Sequence, residues 1–370
     1  MWNEVQWIKI PDMELRNKQI LHGDLGGRFA YFRLEQELPA DARLTARITA
    51  VSRYRLWVND QAVLSGSCKG DLNRQYYETV SLTPYLHAGK NVFAVQVLYN
   101  DPDIARDQTD ERAAIYGVVG AGNCHALAID GDITDAFGRV IGTISTGKAL
   151  WRVWLDHTFF LKSSEYTVYL GATEESVDAR RSPLDWKRLD FDASSWSLAY
   201  ASGPVMPSAL FQSVGLIPRV HLMPREIPLM EETECAFARV IRRKNDLVLD
   251  AGVEVNGYPR FSFNGNAGTE ITVTYLERFG NGADGARIDD MGGTVEGRAD
   301  HIILNGHLVN YEPFWVRTFR YIVVKSSDGK LPEMPAAQVY RKTGYPLSVE
   351  STVDSSTPWV GQLWGICLRT

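Results

Sequence analysis

From about residue 28 onward, apolar and polar residues alternate with a period of two over short stretches, the spacing of strands that bury one face. Segments 28–38 (RFAYFRLEQEL), 42–50 (ARLTARITA) and 53–66 (RYRLWVNDQAVLSG) follow this rule, and Asn59-Asp60 supplies a hairpin turn. Residues 76–100 add a strand, a Thr-Pro turn, one short helical turn and a strongly apolar strand. Further strands are expected near 114–129, 150–155 and 166–171. Residues 182–204 read as a closing ribbon anchored by Trp186 and Trp196. A second series runs over 246–279, where Asn256-Gly257 and the stretch 264–268 (NGNAG) are expected to divide three strands, and resumes over 300–329.

No helix of convincing length interrupts these series, so the pattern predicts an all-β chain of two antiparallel, jelly-roll-like sandwiches. The expected division is 1–205 for the first sandwich, 206–233 for an extended linker whose stretch 216–233 holds three prolines, and 234–345 for the second. Residues 346–370 form a connection and the opening of a helix. In 355–370 (SSTPWVGQLWGICLRT), Thr precedes Pro at a first helical position, and apolar residues follow at Val360, Leu363, Trp364, Cys367 and Leu368. This segment reads as the first piece of a domain that continues downstream.

A chain of 370 residues is too long for one core, which agrees with the division. The net charge of -6 removes any general attraction to phosphate backbones or anionic lipid, so nucleic acid and membrane are excluded as expected partners. The amino-terminal residues hold no basic leader, and no run of roughly 18 apolar residues occurs. A cytoplasmic location is expected. The four cysteines, Cys68, Cys124, Cys235 and Cys367, lack metal-ligand spacing and read as buried free thiols. Aromatic residues make up 11% of the chain, which suits β-sheet cores and equally suits stacking on the C–H faces of sugar rings. Trp57, Tyr76, Tyr77 and Tyr99 are the candidate sugar-stacking residues. The alternation around Trp57 places it more readily in a core than on a surface.

Candidate chemistry is sparse. Adjacent carboxylates such as Glu174-Glu175, Glu231-Glu232 and Asp289-Asp290 point to opposite faces of an extended chain and make no acid/base pair by themselves. The loop 99–117 holds Asp101, Asp103, Asp107, Asp110 and Glu111, dense enough in oxygen ligands for calcium, although its spacing is not that of a DxDxDG loop. An acidic surface loop is the plainer reading. The long loop 280–299 could border the active site of a following domain, with Glu277, Arg278, Asp289 and Asp290 as its candidate residues; a simple Glu277–Arg278 ion pair is the alternative. No nucleophile elbow, phosphate loop or zinc signature is present, so no catalytic residue is assigned.

Several stretches, in order, resemble the accessory region of α-L-rhamnosidases of glycoside hydrolase family 78. "RYRLWVNDQAVLSG", "YETVSLTPYLHAGKNVFAVQV" and "ESVDARRSPLDWKRLDFDASSW" resemble that family's amino-terminal sandwich, and "PREIPLMEE" resembles its linker. "LVLDAGVEVNGYPRFSFNGNAGTEITVTYLE" and "DHIILNGHLVNYEPFWVRTFRYIVV" resemble its second sandwich, with "YEPF…FRYIVV" the most specific motif. "STPWVGQLWGICLRT" resembles the first helix of its (α/α)6 barrel. The resemblance implies a parent enzyme that removes terminal α-L-rhamnosyl residues by inversion, with both catalytic carboxyls in the barrel and no metal in the chemical step. This chain alone is then expected to be inactive, a scaffold with carbohydrate and the barrel as partners. Two alternatives stand beside it: an independent carbohydrate-binding module, and a purely structural spacer whose apolar patch docks on the barrel. Rhamnose-binding sandwiches of the family use calcium and acidic ligands, which makes Asp71, Asn73 and Asp101 candidates by position. The sequence of 100–113 departs from the family's pattern at that place.

Overall fold

The computed structural model describes residues 2, 4–11, 24–68, 70, 74–100, 126–163, 173–205, 221–280, 287–288, 291–331, 333–335 and 338–368. The fold is all-β, with large sheets and, among the described residues, one α-helix, Val360–Cys367, near the carboxyl end. Strands Asp24–Leu38 and Gly89–Asn100 pair antiparallel over twelve residues and form the spine of the first region. Tyr54–Val58 adds to Gly89–Asn100 and turns back into Gln61–Gly66. The turn is Asn59-Asp60, as expected: both residues have positive φ, 52° and 63°, the backbone a two-residue hairpin demands and that Asn and Asp tolerate.

Strand alternation sorts the side chains of this spine onto two faces. Ala30, Phe32, Val95 and Val97 point to one side, where they pack with Ile48, Ile129 and Leu127 of a second, eight-stranded sheet. Phe29, Tyr31 and Ala94 point to the other side and pack with Trp186, Trp196 and residues of the second region such as Phe261, Phe319 and Ile322. Two sheets thus face each other in the first region, and the sheet that carries the spine is covered on both faces.

The two regions are joined more intimately than a linker implies. Thr173–Asp178 pairs antiparallel with Arg152–Ser163 of the first region and parallel with Arg298–Ile303 of the second. One fifteen-stranded sheet thus runs through both. Within the second region, Arg298–Ile303, Glu270–Leu276, Arg317–Ser326, Asp246–Phe263, Val339–Gly344 and Glu231–Ala236 follow in spatial order.

Four local expectations need correction. Asn256-Gly257 is not a turn: Asp246–Phe263 is one strand of 18 residues, and its irregularity falls between Asp250 and Val255, where Gly252 takes a φ of +83°. Gly257 serves close packing instead, since a Cβ there would stand 2.7 Å from the Arg341 carbonyl oxygen. The expected linker 206–233 is not merely extended at its described end. His221–Pro224 runs parallel to Arg74–Ser81, and Glu231–Ala236 pairs with Val339–Gly344, because a chain crossing a sheet edge satisfies its backbone there. The helix begins at Val360 with Trp359 as its cap and no side-chain capping bond, so Thr357 does not cap it. The thiols differ too: Cys68 and Cys235 are half-buried and Cys367 is exposed, while Cys124 lies outside the described residues. The expected strands at 114–125 and 166–171 also lie outside them. No helix among the described residues is long and apolar enough to cross a membrane.

Candidate functional site

The line where the two regions meet carries the densest chemistry described, and it is built around the segment 311–317 (YEPFWVR). Glu312 stands between three guanidinium groups. It accepts from Arg55 of the first region, from Arg341 at 2.6 Å and from Arg260 at 3.0 Å. Burial alone would raise its pKa, but the Arg55 and Arg341 charges outweigh that and hold it down to about 2. Arg55 also donates to the Pro313 carbonyl at 2.9 Å, and its guanidinium and that of Arg341 lie 4.8 and 5.1 Å from the Tyr258 ring centre.

A second knot lies deeper. Glu175, on the strand shared by the two regions, accepts hydrogen bonds from Tyr311 Oη at 3.1 Å, Phe314 N at 2.9 Å, Trp315 N at 3.3 Å and Arg317 Nη2 at 2.9 Å. Arg317 also donates to both oxygens of Asp300, at 2.7 and 3.1 Å, and Tyr275 donates to Asp300 at 2.7 Å. Burial pushes Glu175 above the ordinary carboxylate range, a shift that Arg317 opposes and Asp300 reinforces. Beside it, His301 lies 2.9 Å from Glu270 and 3.6 Å from Glu174, and its pKa is raised by the Glu174 hydrogen bond, with Glu270 adding, against the cost of burial.

Above Glu312 opens a groove of about 1030 Å³. Its walls are the Gln61–Gly66 strand of the first region, the connecting segment around Arg225, Leu229 and Met230, and Tyr258, Arg260, Trp315 and Arg341 of the second. Arg225 fixes the connecting segment: it donates to the carbonyls of Ile227 at 3.0 Å and Pro228 at 2.7 Å and lies 3.5 Å from the buried Glu78. Each carboxylate of the lining faces a cation. Glu232 pairs with Arg341, Glu234 with Arg260 at 2.9 Å, and Asp60 stands 3.9 Å from Lys187.

Among the described residues, none of the sequence-derived candidates lines this groove. Trp57 is buried at the joint, with Arg55 and Lys187 each 4.8 Å from its ring centre, and Tyr77 is buried against Trp2 at 5.4 Å. Tyr77 is thus not an exposed stacking face, and Trp57 lies in the core, as the alternation around it favoured. Tyr76 is half-buried on Arg74–Ser81. Tyr99 sits in the spine opposite Arg28, and its side chain lies outside the described set. Glu277 is exposed and Arg278 half-buried; among the described residues no ion pair joins them. Asp71, Asn73, Asp101, Asp103, Asp289 and Asp290 lie outside the described side chains, so the calcium expectation falls there as well. Among the described residues, no group of three His, Cys, Asp or Glu side chains is placed to hold a metal. Of the residues the candidates missed, Arg225 lies in "PREIPLMEE", Trp315 directly follows "YEPF", and Arg55, Tyr258 and Arg260 lie in the other family-like stretches, while Arg341 lies in none of them.

Solved structures share this fold. An alpha-L-rhamnosidase from Streptomyces avermitilis, solved with L-rhamnose, matches 93% of this chain at 18% identity with a TM-score of 0.62. One from Aspergillus terreus matches 100% at 19% identity and 0.63, and a GH78 family rhamnosidase of Bacillus sp. GL1 matches 97% at 14% and 0.67. The chain spans 31%, 39% and 57% of those three proteins. No curated protein matches the sequence. Residues 241–340 match the family model described as the bacterial alpha-L-rhamnosidase concanavalin-like domain, so the resemblance read from the sequence is borne out there by family, and over most of the chain by fold.

Proposed function

We propose that this chain is the non-catalytic scaffold of an alpha-L-rhamnosidase-like glycoside hydrolase, acting on terminal α-L-rhamnosides through a helical catalytic domain that it supports. The observation that carries the non-catalytic part is the pairing of every carboxylate in the groove with a cation. A general acid needs a carboxyl whose pKa is raised toward neutrality, and a neighbouring guanidinium does the opposite. The exposure of Leu347, Val349, Trp359, Leu363 and Ile366 supports a scaffold role, since large apolar side chains gathered over 345–368 are a surface for another domain to cover.

The test is rhamnose release from an aryl α-L-rhamnoside by the 370-residue chain and by a chain extended through the downstream reading frame. Release by the extended chain alone is the expected result. Release by the 370 residues alone would overturn the scaffold reading. A second reading, carbohydrate binding independent of catalysis, is favoured by the groove itself; retention of the 370-residue chain on an insoluble rhamnose-bearing polysaccharide tests it.

A further inference from the structure

We propose that the groove between the two regions is a binding site for a neutral, multiply hydroxylated saccharide, with Arg260, Glu234 and Trp315 as its principal contacts. This deepens the carbohydrate reading above and rests on it.

Charge sets the ligand class. The lining carries Arg225, Arg260 and Arg341 against Asp60, Glu232 and Glu234, so it has no net charge and offers a phosphate or carboxylate ligand no excess of cations. The charges also come as donor–acceptor couples, Arg260 with Glu234 and Arg341 with Glu232. A pair of neighbouring hydroxyls fits such a couple without separating it: one hydroxyl donates to the carboxylate while the other accepts from the guanidinium.

Shape and rigidity agree. About 1030 Å³ lies at the top of the ~300–1,000 Å³ range of small-molecule sites, and such sites favour domain interfaces. The floor is fixed before any ligand arrives, since Glu312 holds Arg260 and Arg341 from beneath and little side-chain ordering remains to oppose binding. Apolar contact is available as well. Trp315 is half-buried, with the Arg53 guanidinium over one face of its ring at 3.4 Å, and Leu229 and Met230 of the same lining are exposed. These surfaces suit the C–H face of a sugar ring, while the paired charges suit its hydroxyl edge.

The test is calorimetric titration of the 370-residue chain with a neutral rhamnosyl-glucose disaccharide and, separately, with digalacturonate. The expected result is saturable binding of the neutral sugar, no tighter binding of the charged one, and at least tenfold weaker binding by both Arg260→Ala and Trp315→Ala. Tyr76→Ala should bind as the unaltered chain does. Arg260 is exposed on its strand, so Arg260→Ala keeps the fold and decides the matter if Trp315→Ala does not fold. Absence of neutral-sugar binding, or binding by Arg260→Ala equal to that of the unaltered chain, would overturn the proposal. Tighter binding of digalacturonate would overturn the assignment to neutral sugars. Rhamnose release by the extended chain is read separately, so failure of the groove and failure of the rhamnosidase reading are told apart.

Discussion

The two faces of one sheet differ in kind. On the face toward the eight-stranded sheet, the spine contributes Ala30, Phe32, Leu34, Val95 and Val97 to a largely aliphatic core. On the face toward the second region it contributes Phe29, Tyr31 and Arg33, which meet stacked aromatics, among them Tyr31 on Trp186 at 4.6 Å, and the buried charges of Asp156, Glu175, Asp300 and Arg317. An aliphatic core can hold two layers together but tolerates many arrangements of similar volume. A hydrogen-bonded ionic core tolerates few, because a small rotation leaves charges unsatisfied. The first face thus supplies cohesion, and the second sets how the two regions sit against each other.

That contrast can be broken or sharpened by measurement. Arg317→Met should have the largest effect, since it leaves Glu175 and Asp300 buried without their cation: about 3–5 kcal/mol in urea unfolding, the cost of breaking a buried pair from one side. A loss below about 1 kcal/mol would show that the joint is no more demanding than the aliphatic core. Glu312→Gln should cost about 3 kcal/mol at neutral pH, as a carboxyl shifted from 4.5 to about 2 implies. The pKa is depressed in the fold, so this contribution is present above pH 4.5 and is lost as the pH falls through about 2. The gap between Glu312→Gln and the unaltered chain should therefore close on acidification. Ile129→Val, in the aliphatic core, should cost about 1 kcal/mol at every pH. The smallest effect belongs to His301→Gln. The raised pKa of His301 gives stability that is full below about 6.5 and is lost as the pH rises through the folded value, so thermal unfolding should separate this variant from the unaltered chain at pH 5.5 and not at pH 9.

How much of this could be read from residues alone follows from distance along the chain. The hairpin at Asn59-Asp60 and the alternation through Phe29, Ala30, Tyr31 and Phe32 are local facts, legible from neighbours. Gly257 misled because Asn-Gly is a turn signal when nothing else is known, whereas here the glycine makes room for Arg341, 84 residues on. The parallel pairing of Thr173–Asp178 with Arg298–Ile303 has no local signature at all. Glu312 was legible as part of a motif, but its role depends on Arg55, 257 residues earlier, and on Arg341, 29 residues later. The groove followed the same rule, since its walls come from six separate stretches.

The strand Thr173–Asp178 has a consequence for inheritance. Its sequence lies in the first region, yet it closes an edge of Arg298–Ile303 in the second. A recombination event that lifted out residues 234–345 at their apparent boundaries would leave that edge open to pair with any chain at hand. The heritable module is therefore both regions together, and a gene that acquired one alone would acquire an aggregation hazard in place of a domain.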